Sequence, residues 1–311
     1  MKICVYTENF KQDWDDFISK SKNGTFLFFR DYMEYHSDRF KDFSLLFYDD
    51  KGLIAVMPAN REGDKIVSHA GLTYGGIVSD SRMKTPTMLE IFETLKQFLR
   101  KQGATELEYK VIPHIYHEIP AEEDLYALFI HNAWLIRRDV SSTIFMSQKV
   151  SFRKSRKWRI NRSKKSGLEL KNDNNFNAFM AIEEDSLRRK YGVKPVHSAD
   201  ELQLLTDRFP ENIKLFTAYR GGTMVAGIVI YETHNVAHAQ YTAATDLGKE
   251  VNALDLILDF LINEYYVKKK YFDFGISTEK KGRYLNVGLI ENKESFGART
   301  VVYDFYAMNI T

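Results

Sequence analysis

One order of secondary structure can be read twice along this chain, and that repetition limits its folds more than any single motif does. In the first pass, "FSLLFYDD" and "GLIAVMPAN" read as strands joined by a turn at Asp50 and Gly52, and "KIVSHAGLTYGGIVSD" reads as extended chain broken by glycines. Met88, Ile91, Phe92, Leu95, Phe98 and Leu99 recur at helical spacing, which predicts a helix from about Thr85 to Lys101 closed by Gly103. "TELEYKVI", "EEDLYALFIHNAW" and "SSTIFMS" follow as strand, helix and strand. The second pass opens with a helix in a basic segment and a second helix, "FNAFMAIEEDSLRRKY". Strands "NIKLFTAYR", "TMVAGIVIYE" and "VAHAQYTAAT" come next, then helix "NALDLILDFLINEYYVKKK" and strand "YFDFGIS". A short helix before Gly297 and strand "RTVVYDFYAMN" close it. The expected fold class is α+β, with two tandem domains, 1–150 and 151–311, each a mostly antiparallel sheet flanked by helices.

Composition narrows the function classes. Hydrophobic residues at 44% suffice for packed cores, and the first residues carry no apolar signal core. There is no run of 18 or more apolar residues, so the expected location is cytoplasmic. The one cysteine, Cys4, excludes an intramolecular disulfide framework and a multi-cysteine zinc site. Net charge is +2, yet "RKSRKWRINRSKK", Arg153 to Lys165, holds eight basic residues and no acid, leaving −6 for the rest. Such a segment is a solvated helix face, an interdomain clamp, or a phosphate contact through Arg153, Arg156 and Lys157. His114 and His117 in "PHIYHE" would point to opposite faces of a strand, and no third ligand is evident, so no metal is expected. The glycines of "HAGLTYGGI" lack a P-loop lysine and equally serve turns needing positive φ.

The doubled strand and helix order, "YFDFGIS" after the long helix, and Lys293 shortly before Phe296-Gly297 resemble the Fem-type family of tandem GNAT acyl- and aminoacyltransferases. The resemblance covers nearly the whole chain through short motifs. Its lysine before a helix-ending Phe-Gly matches Lys293, with Asn292 where the family carries an aromatic. Its first-domain Tyr-Gly-Pro stretch leading to an aspartate matches Tyr74 to Asp80, with Gly76 in place of proline. Tyr241 matches the aromatic before the long helix, and Arg188 or Arg189 the basic residue that contacts substrate. At the phosphate-binding junction, here "TDLGKEVNALD", Asn252 replaces the expected glycine.

The resemblance implies acyl transfer to the amine of a cell-envelope precursor, such as a peptidoglycan precursor, or of a nucleotide sugar. The implied donor is acetyl-CoA or aminoacyl-tRNA, so tRNA is a further expected partner. An amine attacking such a donor must lose a proton while the carbonyl oxygen gains charge. Lys293 suits charge stabilisation, and Tyr74 and Tyr241 suit orientation by hydroxyl hydrogen bonds. His36, Arg39 and His69 are candidate acceptor contacts, as are Arg283 and Tyr284 in the polar stretch Ser277 to Asn286, expected as a loop. The alternative is a non-catalytic module that grips RNA or a nucleotide through the basic segment.

Overall fold

The computed structural model describes residues 1–310, without the side chains of Lys190 and Tyr191. The chain forms two compact units. Unit 1 is Met1–Val140, Thr278–Tyr284 and Val302–Thr311, and unit 2 is Ser141–Ser277 and Leu285–Val301. The division differs from the contiguous halves 1–150 and 151–311. The final strand pairs Phe305–Asn309 with Glu106–Lys110, which returns the C-terminal segment to unit 1.

Unit 1 runs β1 (Lys2–Val5), α1 (Lys11–Ser19), α2 (Arg30–Met33), β2 (Leu45–Asp49), β3 (Gly52–Met57), β4 (Asn60–Glu62), β5 (Lys65–Val67), β6 (Val78–Ser79), α3 (Thr85–Lys101), β7 (Glu106–Lys110), α4 (Glu123–Ile130) and the start of β8 (Trp134–Phe145). Strands β1, β2, β3 and β6 form an antiparallel sheet in that order. Helix α3 starts with Pro86 in its first turn, where the missing N–H costs no helix bond. It buries Met88, Ile91, Phe92, Leu95 and Leu99 in a core with Leu45, Phe47, Met57 and Leu107. Each such side chain contributes roughly 1.5–3 kcal/mol on burial.

Unit 2 continues with α5 (Lys154–Ser163), β9 (Glu169–Asp173), α6 (Phe176–Tyr191), α7 (Ala199–Arg208), β10 (Ile213–Arg220), β11 (Thr223–Glu232), β12 (Val236–Ala244), α8 (Asp246–Glu250), α9 (Ala253–Phe260), β13 (Tyr271–Ile276), β14 (Thr278–Glu279), β15 (Tyr284–Leu285), α10 (Val287–Glu294) and β16 (Arg299–Asn309), of which β14, Tyr284 of β15 and β16 from Val302 onward belong to unit 1. Its sheet order is β9-β10-β11-β12-β13, with the end of β8 paired to β13. The β10–β11 hairpin turns on Gly221 and Gly222, both at positive φ as a two-residue primed turn requires. Ile257 and Leu261 pack on one sheet face with Ile228, Ile230 and Phe272. Phe179 of α6 lies over Gly227 on the other. Helix α7 starts at a Ser198/Glu201 capping box.

Past α10, Gly297 holds φ +87°, and a Cβ there would overlap the Val150 carbonyl oxygen. Gly221 also has positive φ, but its surroundings are open. Gly297→Ala is therefore expected to cost more than about 2 kcal/mol and Gly221→Ala about 1 kcal/mol in urea unfolding. Equal costs would show that the Val150 contact relaxes freely.

Candidate functional site

A β-bulge and an interrupted strand pairing build the site in unit 2. Opposite β11, Tyr241 pairs with Val229 and Ala239 with Ile230, which leaves Gln240 as an extra residue. Side chains alternate along a strand, so His238 and Tyr241, three apart, would otherwise face opposite ways. The bulge turns both to the face away from α9. Parallel pairing of β12 with β13 covers only Val236–His238 and Tyr271–Asp273, although the strands continue to Ala244 and Ile276. His238 and Asp273 are thus the last pair before the strands part.

Asp273 is fully buried and accepts hydrogen bonds from Ser141 Oγ at 2.7 Å and Thr143 Oγ1 at 2.6 Å. His238 Nδ1 lies 2.7 Å from its other oxygen. Burial pushes this carboxyl up, but the bonds from His238, Thr143 and Ser141 outweigh it and hold the group below the usual carboxylate range. The edge of the His238 ring faces Gly275, where a Cβ would lie 3.3 Å from Cε1.

Lys293 enters from α10 and is only 9% exposed. Its Nζ donates to the carbonyls of Gly275 at 2.8 Å and Ile276 at 2.7 Å, fastening the end of β13. Two of three ammonium donors are so used, leaving one for a ligand oxygen. Burial lowers Lys293 to about 8, with the Asp273 charge opposing, so the group is mostly cationic at pH 7.

Tyr241 Oη is 2.5 Å from His197 Nδ1, and burial pushes its phenol up to about 12. Glu183 continues the buried stripe Phe176, Phe179, Met180 of α6 and has no hydrogen bond or ion pair among the described residues. Burial pushes this carboxyl up to about 7, and its charge bears on Tyr241.

The other candidates are dispersed. Tyr74 is buried in unit 1, with its hydroxyl donating to Thr25 Oγ1 at 3.2 Å and its ring beside Tyr116. His36 and His69 are buried there with ring centroids 5.4 Å apart, and burial drives His69 down to about 3. Lys110 binds the carbonyls of His69, Ala70 and Leu72, which ties that loop down. Arg39 is exposed. Asp80 ion-pairs with Arg82. Arg283 and Tyr284 are exposed on the β14–β15 hairpin, where an irregular loop was expected. His114 and His117 lie at a 3-10 turn rather than on a strand, with His117 Nε2 2.9 Å from the Ile112 carbonyl.

Within the basic segment, Arg153 and Lys157 are exposed, whereas Arg156 is buried against Asp255 and Ser295 with its guanidinium over Phe296. Arg188 and Arg189 are exposed and pair with Asp185. Arg189 also reaches Asp246, as does Lys249, at a cavity of about 740 Å³ lined by Ser186 and Thr245. Asn252 holds φ 56°, the left-handed conformation that glycine supplies most readily and asparagine tolerates. No group of three or more His, Cys, Asp or Glu suited to a metal occurs among the described residues.

His238, Asp273 and Glu183 were not singled out from the sequence. Asp273 between Phe272 and Phe274, and Glu183 at the next turn of an apolar stripe, were the available signals.

Comparison with known proteins agrees with this architecture. Residues 151–284 match the family model of the acetyltransferase (GNAT) domain. The crystal structure of FemX aligns over 98% of this chain and 97% of its own, at TM-score 0.68 and 11% identity. The chain has the Fem-type tandem GNAT fold. A tandem GNAT protein from the clavulanic acid biosynthesis pathway aligns over 100% of this chain and 98% of its own, at TM-score 0.54 and 9% identity. L-PGS from Bacillus licheniformis aligns over 86% and 84%, at TM-score 0.58 and 12% identity. At these identities the Fem-type likeness is one of fold. No curated protein matches by sequence. No helix among the described residues is long and apolar enough to cross a membrane.

Two pH responses follow. A depressed lysine binds fewer protons folded than unfolded, so stability rises with pH between about 8 and the ordinary lysine value of 10.5. Wild type should gain on Lys293→Met across that window in paired thermal melts, and parallel curves would contradict the burial of the ammonium. Glu183 has the opposite sign, because its raised pKa costs stability as pH climbs from 4.5 to about 7. Glu183→Gln should become progressively more stable than wild type over that range, and a pH-independent difference would mean that the carboxylate is solvated.

Proposed function

We propose that the chain is an N-acyltransferase whose chemistry takes place where β12 and β13 part in unit 2. The observation that carries this reading is the buried Lys293 ammonium, fastened to β13 beyond the last strand pair. Strands that stop pairing leave backbone donors and acceptors for an extended acyl donor. Lys293 meets the charge that develops on the carbonyl oxygen or on the leaving group.

The donor is acetyl-CoA or an aminoacyl-tRNA, and the acceptor is an amine of a cell-envelope precursor or nucleotide sugar. The Fem-type fold supports the aminoacyl alternative, and the GNAT domain match supports the acyl-CoA one. Tyr241 orients the reacting groups. Arg189 and Lys249 neutralise phosphate at the end of β12, where an anion has to displace Asp246, and exposed Arg153 and Lys157 offer further contacts. Arg156 is committed to the interior of unit 2.

The test is turnover of acetyl-CoA or charged tRNA with a panel of UDP-amino sugars. Loss of one well-placed charge-stabilising donor costs ~3 kcal/mol, so Lys293→Met should lose roughly a hundredfold in rate. Undiminished turnover would remove Lys293 from the mechanism. Salt-sensitive tRNA binding without consumption of any donor would replace the enzyme with a binding module.

A further inference from the structure

We infer that His238 is the general base of the transfer, taking the acceptor's proton at Nε2 while Asp273 holds Nδ1. The assignment rests on the acyl-transfer reading above and adds a residue to it. Three observations carry it. Asp273 is fully buried, with one oxygen held by Ser141 and Thr143 and the other 2.7 Å from His238 Nδ1, so the imidazole has one preferred orientation and tautomer. His238 is the last residue of β12 paired to β13, which sets its ring at the opening of the strands. The ring edge faces Gly275, whose carbonyl binds Lys293, so the base and the ammonium flank one backbone unit. A buried carboxylate that needs only neutralisation is satisfied by any donor. Here it holds Nδ1 and leaves Nε2 for a substrate.

In the reaction the acceptor nitrogen bonds to the acyl carbon, and the carbonyl π pair moves to oxygen beside Lys293. The proton on the attacking nitrogen passes to His238 Nε2, and the imidazolium is held by the Asp273 carboxylate. Collapse re-forms the carbonyl and breaks the bond from carbon to the leaving sulfur or oxygen, which takes the electron pair. His238 returns its proton to that atom. The products are an amide and a thiol or alcohol, and the imidazole ends neutral.

Asp273 on β13 bonds His238 and Tyr231 pairs with it on β11; Tyr241 shares its face of β12, Lys293 binds the Gly275 carbonyl beside its ring, and the Glu183 charge on α6 bears on Tyr241. Glu183 titrates near neutrality and is the group to control for.

Long-range proton–nitrogen correlation spectra of the full chain should show His238 protonated at Nδ1 and bare at Nε2 in its neutral form. The reverse tautomer overturns the assignment without reference to activity. In turnover of acetyl-CoA or charged tRNA with UDP-amino sugars, His238→Gln should lose at least roughly a hundredfold in kcat with little change in KM. The acid limb of the pH profile should vanish in that variant and persist in Glu183→Gln. Added imidazole should restore at least tenfold of the lost rate in His238→Gly, a response that a merely structural histidine would not give. Retained kcat and an unchanged acid limb in His238→Gln overturn the base and leave the transferase standing. Absence of turnover in wild type with every pair overturns both.

Discussion

A carboxylate with no access to water stays charged inside a protein only if its oxygens are satisfied by donors that do not move. Asp273 meets that condition through Ser141 and Thr143 on β8 and His238 on β12. Isolated burial of such a charge costs several kcal/mol, and each charge-assisted hydrogen bond contributes about 1.5–3 kcal/mol against it. The three strands are therefore locked in register at one point. That point is also where β12 and β13 stop pairing, so the opening has a defined position rather than a frayed one.

What lies beyond the lock follows from it. Gly275 takes positive φ two residues after Asp273, which redirects β13 and exposes carbonyls that need donors. Lys293 supplies them, and its burial is tolerated because those carbonyls and the Asp273 charge compensate for lost hydration. On β12, the bulge at Gln240 restores Tyr241 to the face that His238 occupies, and His197 and Glu183 approach it there. A cation, an oriented imidazole and a buried carboxylate thus meet at one interruption in a sheet, with a phenol on the same face of β12. The apolar face packed on α9 contributes no chemistry, but it holds the strands rigid enough for the polar face to keep its geometry.

Much of the fold was legible because local patterns and burial coincide. Helices α3 and α6 and strand β16 begin and end where the residue spacing places them, since each has one apolar face and clear end signals. Short or polar elements escaped. Helix α1 carries its apolar residues in a single cluster, Trp14, Phe17 and Ile18. Strand β9 reads "ELKND" and is a strand because Asp173 accepts from Thr217 and Tyr219 of β10. The two-unit arrangement was legible in outline, but its boundaries were not, because strand partners far apart in sequence draw the C-terminal segment back to unit 1.

The sequence by itself determined that the chain folds as two sheet-and-helix units, that one lysine precedes the Phe-Gly break, and that basic charge is concentrated between Arg153 and Lys165. Periodicity and composition carry such information because each residue's preference acts over a few neighbours. Only the tertiary structure decided which polar groups meet. Asp273 joins residues more than a hundred positions earlier, and Arg156, one of the basic run, proved to be an interior clamp rather than a surface cation. Those outcomes depend on strand order, on a bulge and on the point where pairing stops, because burial and the geometry of distant partners set the chemistry of a titratable group.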